Sequence, residues 1–73
     1  MADMTLDCKG LNCPMPIVKI SKAVRELTTG QTLEIEATDL AFKLDLEAWS
    51  NKTGHAIRDF SEGEVLRAVV EIS

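Results

Sequence analysis

Strict alternation of apolar and polar side chains in two short segments constrains the fold of this chain most strongly. Apolar residues alternate with glutamates between residues 32 and 37, and residues 65–72 repeat the same period. This period is typical of a strand with one face in the core and the other in water. The apolar members are Leu33, Ile35, Ala37, Leu66, Ala68, Val70 and Ile72. The fold therefore needs a layer that covers one face of a sheet.

Two amphipathic helices are predicted to supply that layer. The first begins in the segment Cys13-Pro14-Met15-Pro16 and ends near Gly30, and the second runs from a cap at Thr38 or Asp39 to about Thr53, before Gly54. Apolar residues recur in each at steps of three and four, which places them on one stripe. The stripes are Ile17, Ile20, Val24 and Leu27 in the first helix, and Phe42, Leu46 and Trp49 in the second.

Two further strands complete the predicted element order. Met4–Asp7 reads as the first strand, and His55–Phe60 lies before a hairpin turn at Ser61–Glu64. The order is β-α-β-α-β-β. Because the sheet needs a cover on one face only, both helices are predicted to pack on that same side, and the other face stays open to water. The predicted fold class is α/β: a two-layer sandwich with a mixed four-stranded sheet, formed by residues 1–73 as a single domain.

The charge balance indicates the kind of partner. Twelve acidic and eight basic side chains give a formal net charge of −4, whereas a protein that grips phosphate backbones normally carries the opposite sign. Direct nucleic-acid binding is therefore not expected, and protein or small-molecule partners are. The single histidine, His55, and two cysteines at distant spacing make a poor zinc set, so we expect no metal and no cofactor.

A cytoplasmic location is expected. The acidic segment Met1–Met4 lacks the pattern of a secretory signal, and no stretch approaches the roughly 18 apolar residues of a membrane span. In that compartment a structural disulfide is rare, so the two cysteines are interpreted as reactive thiols or small buried hydrophobes.

Cys13 is the candidate catalytic residue because it stands where the first helix is predicted to begin. A helix N-terminus carries partial positive charge, and Lys9 is close in sequence, so we expect the pKa of Cys13 to lie below that of a free cysteine. A thiolate is the nucleophile in sulfur chemistry, and no histidine or carboxylate is near in sequence to act as a base. The alternative interpretation is a capping residue that is merely small and buried.

Cys8 is interpreted first as a packed thiol, since it is in phase with Met4 and Leu6 on the predicted core face. The alternative is a resolving cysteine that pairs with Cys13 across the turn between them.

Several other polar and apolar residues admit both a structural and a functional interpretation. The carboxylates at the second helix are expected to be caps or solvated groups; they are Asp39, Asp45 and Glu47. The basic residues are expected to be solvated or to form a rim around Cys13 that steers partners; they are Lys9, Lys19, Lys22 and Arg25. In the second helix, Phe42 or Leu44 is a candidate for a docking contact.

The segment Leu6–Pro16 closely resembles the signature of the TusA/SirA-like family. That signature is an apolar residue and Asp, a basic residue before Gly-Leu, one variable residue, and Cys-Pro-x-Pro. It appears here as Leu6-Asp7, Lys9-Gly10-Leu11, Asn12 and Cys13-Pro14-Met15-Pro16. The similarity continues at Ile17-Val18-Lys19, Lys22-Ala23, Gly30, Asp39, Ala48-Trp49 and Thr53-Gly54-His55, so it covers essentially the whole chain.

The resemblance implies a sulfur carrier that holds sulfur as a persulfide on Cys13. In that family the donor is a cysteine desulfurase or a rhodanese-like enzyme, and the acceptor is a protein such as a DsrE-like one. Downstream uses include tRNA thiolation, sulfur oxidation and cofactor synthesis. Asp7 and Gly10 carry over as the framework of the loop, and we expect the carrier to act as a monomer.

Two departures from the family pattern bear on partner choice. Leu40 stands where relatives commonly have proline, and Phe42 and Leu44 stand where more polar residues are usual. Two other functions compete with the sulfur carrier: a thiol redox switch that uses Cys8 and Cys13, and a non-enzymatic module that binds RNA or protein.

Overall fold

The computed structural model describes residues 2–73, and Met1, part of the N-terminal segment considered above, lies outside the described residues. The strands are β1 (Met4–Cys8), β2 (Thr32–Ala37), β3 (Ala56–Ser61) and β4 (Leu66–Glu71). The helices are α1 (Met15–Ala23), which continues into a 3-10 turn at Val24–Glu26, and α2 (Phe42–Thr53). The element order agrees with the predicted β-α-β-α-β-β.

The four strands form one mixed sheet with the order β1-β2-β4-β3. β1 lies parallel to β2, with Leu6 opposite Ile35, while β4 is antiparallel to both β2 and β3. The register between β3 and β4 shifts between Ile57 and Asp59, so β3 is the irregular edge of the sheet. The predicted fold class, a two-layer α/β sandwich with a mixed four-stranded sheet, is confirmed.

The core lies between the helices and one face of the sheet. Alternation in β2 and β4 is realised as predicted, since every second residue is buried and the glutamates of β2 face away. The residues buried from the two helices include Ile20 and Ala23 of α1 and Phe42, Leu46 and Trp49 of α2. No helix within residues 2–73 is long and apolar enough to cross a membrane.

α1 begins at Met15, within the predicted segment Cys13-Pro14-Met15-Pro16. Cys13 itself does not open the helix, because Pro14 is the residue that precedes the first turn. Asp39 does not cap α2 either: its carboxylate accepts a hydrogen bond from the N–H of Ala41 at 3.1 Å, which closes a turn before the helix begins. The end of α2 is as predicted, since Gly54 adopts φ 85°, a left-handed conformation that favours glycine.

Candidate active site

Parallel pairing of β1 and β2 brings both helix starts to one edge of the sheet. Each strand leads into a helix from its carboxyl end, so the loop between β1 and α1 lies beside the loop between β2 and α2. Two hydrogen bonds join the loops: Gly10 N–H donates to Thr38 Oγ1 at 2.9 Å, and Cys13 N–H donates to Asp39 Oδ2 at 2.7 Å. The loop that carries Cys13 is therefore held at both of its ends.

The framework residues implied by the family resemblance shape the first half of this loop. The Asp7 carboxylate accepts a hydrogen bond from Lys9 N–H at 3.0 Å, which folds the chain back directly after β1. Gly10 has φ 81°, a conformation that side-chain-bearing residues rarely adopt. Leu11 N–H then donates to the Cys8 carbonyl at 3.2 Å and completes the turn.

The two cysteines occupy opposite environments, and both are free thiols. Cys8 has no exposed surface and packs in the core, as the first interpretation of this residue predicted. Burial raises the pKa of the Cys8 thiol, only partly offset by the positive charge of Lys19. Cys13 is exposed, so the interpretation that buries it as a small hydrophobe is wrong.

Cys13 lies at a groove of about 390 Å³ between the two helices. The groove is bounded by Pro14, Ile17 and Ser21 on the side of α1, and by Asp45, Ala48, Trp49 and Lys52 on the side of α2. Its apolar walls come mainly from Ile17, Ala48 and Trp49, and its charges come from α2 alone. A side chain of a partner that enters this groove therefore meets Cys13 together with apolar walls and two charged groups of α2.

The expected lowering of the Cys13 pKa is wrong in direction. The Asp45 carboxylate, which lines the same groove, raises the pKa of Cys13, and partial loss of water and the negative charge of Asp39 act in the same sense. The sulfur also precedes the first turn of α1 instead of capping it. The carboxylates that raise the pKa of Cys13 therefore come from the neighbouring helix and loop, and not from residues close to it in sequence.

The basic residues do not surround Cys13 as the partner-steering interpretation proposed. Lys9 pairs with Glu36 at 3.3 Å on the open face of the sheet, and also approaches Asp7 at 3.9 Å. Lys19 and Lys22 line a separate depression beside β1. Lys52, which the sequence analysis did not single out, is the cation that lines the groove.

Asp45 and Trp49 line the groove, although the sequence favours a solvated or capping role for Asp45 and a core position for Trp49. Trp49 is indeed core, 7% exposed, yet part of it faces the groove. Of the two docking candidates, Phe42 is buried at 1% exposure, while Leu44 is 71% exposed. The neighbouring Leu40 is 90% exposed.

The sequence of this chain is similar to those of a known family and of several known proteins. The family described as Sulfurtransferase TusA matches residues 4–72. YrkI of Bacillus subtilis is 51% identical over 90% of this chain and 89% of its own length. YrkF of the same organism is 52% identical over 90% of this chain, which spans only 36% of YrkF. The sulfur carrier protein TusA of Allochromatium vinosum is 37% identical over 82% of this chain and 79% of that protein.

A solved structure shares the fold. The SirA-like protein from Desulfitobacterium hafniense superimposes with a TM-score of 0.80, covering 93% of this chain and 95% of that one, at 20% sequence identity. The match of the family over nearly the whole sequence, together with relatives above half identity, decides the family. This chain belongs to the TusA sulfurtransferase family of sulfur carriers.

Proposed function

We propose that this protein carries sulfur as a persulfide on Cys13, which receives the sulfur from one protein and passes it to another. The observation that carries the proposal is that Cys13 is exposed and lines an open groove, on a loop anchored by the 2.7 Å hydrogen bond from Cys13 N–H to Asp39. An anchored loop presents the sulfur in one position, which a transfer between two proteins requires.

The transfer needs no outside oxidant or reductant. In loading, Cys13 Sγ attacks the outer sulfur of a donor persulfide; the donor S–S bond breaks as a new S–S bond forms on Cys13. The donor leaves as a thiol, so one proton moves from Cys13 to the donor sulfur. In delivery an acceptor thiol attacks the outer sulfur on Cys13, and Cys13 returns to the thiol.

Exposed apolar side chains beside the site support a protein partner. Leu40 follows Asp39, whose carboxylate binds the Cys13 N–H, and Leu44 precedes Asp45, which lines the groove. Both leucines are mostly exposed. Met15 and Val18 of α1 are also exposed, at 46% and 38%. Large apolar side chains held in water next to a reactive group are typical of a docking surface.

The donor class is a cysteine desulfurase or a rhodanese-like enzyme, and the acceptor class is a DsrE-like protein, in keeping with family membership. The acceptor decides the end use, whether tRNA thiolation, sulfur oxidation or cofactor synthesis. We further propose that the single domain of residues 1–73 acts as a monomer in the cytoplasm. The net charge of −4 supports a protein partner over a nucleic acid.

Intact-mass spectrometry after incubation with a sulfane-sulfur donor tests the proposal. We expect the protein to gain the mass of one sulfur atom, Cys13→Ser to gain none, and the matched variant Cys8→Ala to gain it as the unchanged chain does. Dithiothreitol should remove the added mass, since a persulfide is reducible. A Cys13→Ser variant that gains sulfur equally would remove Cys13 from the transfer.

A further inference from the structure

The groove between α1 and α2 brings a carboxylate to the sulfur from a distant part of the sequence. Asp45 lies in the first turn of α2, and both Asp45 and Cys13 line the same groove. Asp45 is partly buried, so its carboxylate is less free to turn to water than that of an exposed side chain. The segment Asn12–Pro16 around Cys13 contains no acid or base, and α2 supplies an acid.

The charged groups that face Cys13 can be named element by element. Asp45 faces it from α2, and Asp39 faces it from the loop after β2, where its carboxylate already accepts the Cys13 N–H. Lys52 lines the groove from the last turn of α2. The groove-lining residues from the start of α1 carry no charge, and Lys9 pairs with Glu36. Asp39 is committed to the backbone, which leaves Asp45 as the acid that faces the sulfur.

We propose that Asp45 is the proton partner of Cys13: it holds the resting sulfur as a neutral thiol and takes the proton when Sγ attacks a donor persulfide. This inference rests on the proposed function and adds a second catalytic residue to it. The raised pKa of Cys13 agrees with a thiol that is stabilised by an adjacent carboxylate.

The proton is accounted for in both directions of transfer. In loading, the Sγ–H bond breaks as Sγ bonds to the outer sulfur; the proton passes to a carboxylate oxygen of Asp45 and then to the departing donor thiolate. In delivery, the acceptor S–H bond breaks as its sulfur bonds to the outer sulfur, and that proton passes to the Asp45 carboxylate; the S–S bond on Cys13 breaks, and Asp45 returns the proton to Sγ. One residue thus acts as general base and then as general acid.

A neutral resting thiol also gives the free carrier chemical protection. Alkylation and oxidation of cysteine follow its thiolate character and its exposure. Cys13 is fully accessible, so only suppression of the thiolate limits its side reactions. Asp45 supplies that suppression without closing the groove to partners.

The first test is the pH profile of Cys13 alkylation by iodoacetamide in the free protein. We expect Asp45→Asn to lower the midpoint and to speed alkylation at neutral pH by at least about threefold, since tenfold corresponds to one pKa unit. Asp45→Glu, which keeps a carboxylate, should retain most of the raised midpoint. Glu47→Gln is the matched control, because it removes the same charge from an exposed position two residues along α2. Equal midpoints for Asp45→Asn and the unchanged chain, or an equal fall for Glu47→Gln, would overturn the inference.

The second test separates proton transfer from simple charge repulsion. Sulfur loading is measured with the persulfide of N-acetylcysteamine, a small donor without other charged groups, at mildly acid pH, where the thiol form of Cys13 dominates. We expect the loading rate, divided by the alkylation rate at the same pH, to fall severalfold in Asp45→Asn and to recover in Asp45→Glu. An unchanged ratio would overturn the role of Asp45 as proton acceptor. Loss of loading in Cys13→Ser is independent of both outcomes, so the proposed function can stand where this inference fails.

Discussion

Cys8 and Cys13 are five positions apart in the sequence, yet they lie on opposite sides of the boundary between core and solvent. Both have a raised pKa, but the causes differ: loss of water at Cys8, and the Asp45 carboxylate at Cys13. The effect of Asp45 can be reversed without unfolding, because a partner that changes the charge around Asp45 also changes the pKa of the Cys13 thiol. Burial makes a cysteine unreactive, whereas an adjacent carboxylate leaves its reactivity open to change by a partner.

The largest expected difference between the two cysteines is in labelling rate. Cys13 should react with an alkylating reagent from the native state, while Cys8 should react only when the core opens. For a domain with about 5 kcal/mol of stability, opening reduces the rate more than about a thousandfold. Peptide mapping of a labelling time course measures both rates, and denaturant provides the control in which they converge. Similar native-state rates would contradict the buried position of Cys8.

A pair of neighbouring residues in α2 repeats the contrast. Phe42 belongs to the same core as Cys8, whereas Leu44, two residues later in α2, is mostly exposed to solvent. Phe42→Ala should reduce the free energy of unfolding by about 3–5 kcal/mol, since it leaves a cavity, and Leu44→Ala by less than about 0.5 kcal/mol. Urea unfolding measures both. Equal losses would mean that Leu44 is packed and is not available for docking.

The same substitution at the two cysteines should have unequal effects on stability. Cys8→Ser places a hydroxyl in a dry apolar site and should cost about 1–3 kcal/mol. Cys13→Ser changes an exposed side chain and should change the free energy of unfolding by no more than about 0.5 kcal/mol. The urea midpoints of the two variants provide the comparison. A Cys13→Ser variant as unstable as Cys8→Ser would show that Cys13 supports the fold.

The smallest expected effect on stability concerns Glu36, which pairs with Lys9 and Arg67 on the open face of the sheet. These paired charges contrast with the carboxylates near Cys13. Hydrogen bonds from Arg67 and Lys9 lower the pKa of Glu36 below its ordinary value. Because the pKa of Glu36 is lower in the folded chain than in the unfolded chain, its ionised form stabilises the fold. This stability is fully present above the pKa of about 4.3 in the unfolded chain and is lost as the pH falls through the lower pKa in the folded chain.

Glu36→Gln should therefore flatten the loss of stability in acid, as measured by urea midpoints from neutral pH downward. Glu34→Gln, on the same face of β2, is the control. Solvent screens these ion pairs because the side chains of Lys9 and Arg67 are 44% and 50% exposed, so the difference should be small. An acid limb that is unchanged in Glu36→Gln would mean that these ion pairs contribute nothing to stability.

The regular parts of the fold could be predicted from sequence because their signals are local. The predicted bounds of β2 are those observed, since alternation and burial coincide from Thr32 to Ala37. The apolar stripe of α2 was also predicted correctly, as was its end at Gly54. Helix starts were less predictable: Asp39 has the side chain of a cap, but its carboxylate turns instead to Ala41 and to Cys13.

The electrostatics of the site could not be predicted from the motif around Cys13. The group that decides the state of the thiol is Asp45, which tertiary packing brings across from α2. One signal was present: when β1 and β2 are parallel, the helices that follow them start at the same edge. An acid in the first turn of α2 is then expected near the start of α1. Lys9, close in sequence, turns instead to Glu36 on the other side of the sheet.

Site-resolved mass spectrometry of the sulfur-loaded protein tests the central claim most directly. The carrier is loaded, the persulfide is trapped by alkylation, and peptides that separate Cys8 from Cys13 are weighed. The account predicts the added sulfur on Cys13 alone, and its disappearance when an acceptor thiol protein is added. Sulfur found on Cys8, or a Cys13 peptide that never gains it, would contradict the account.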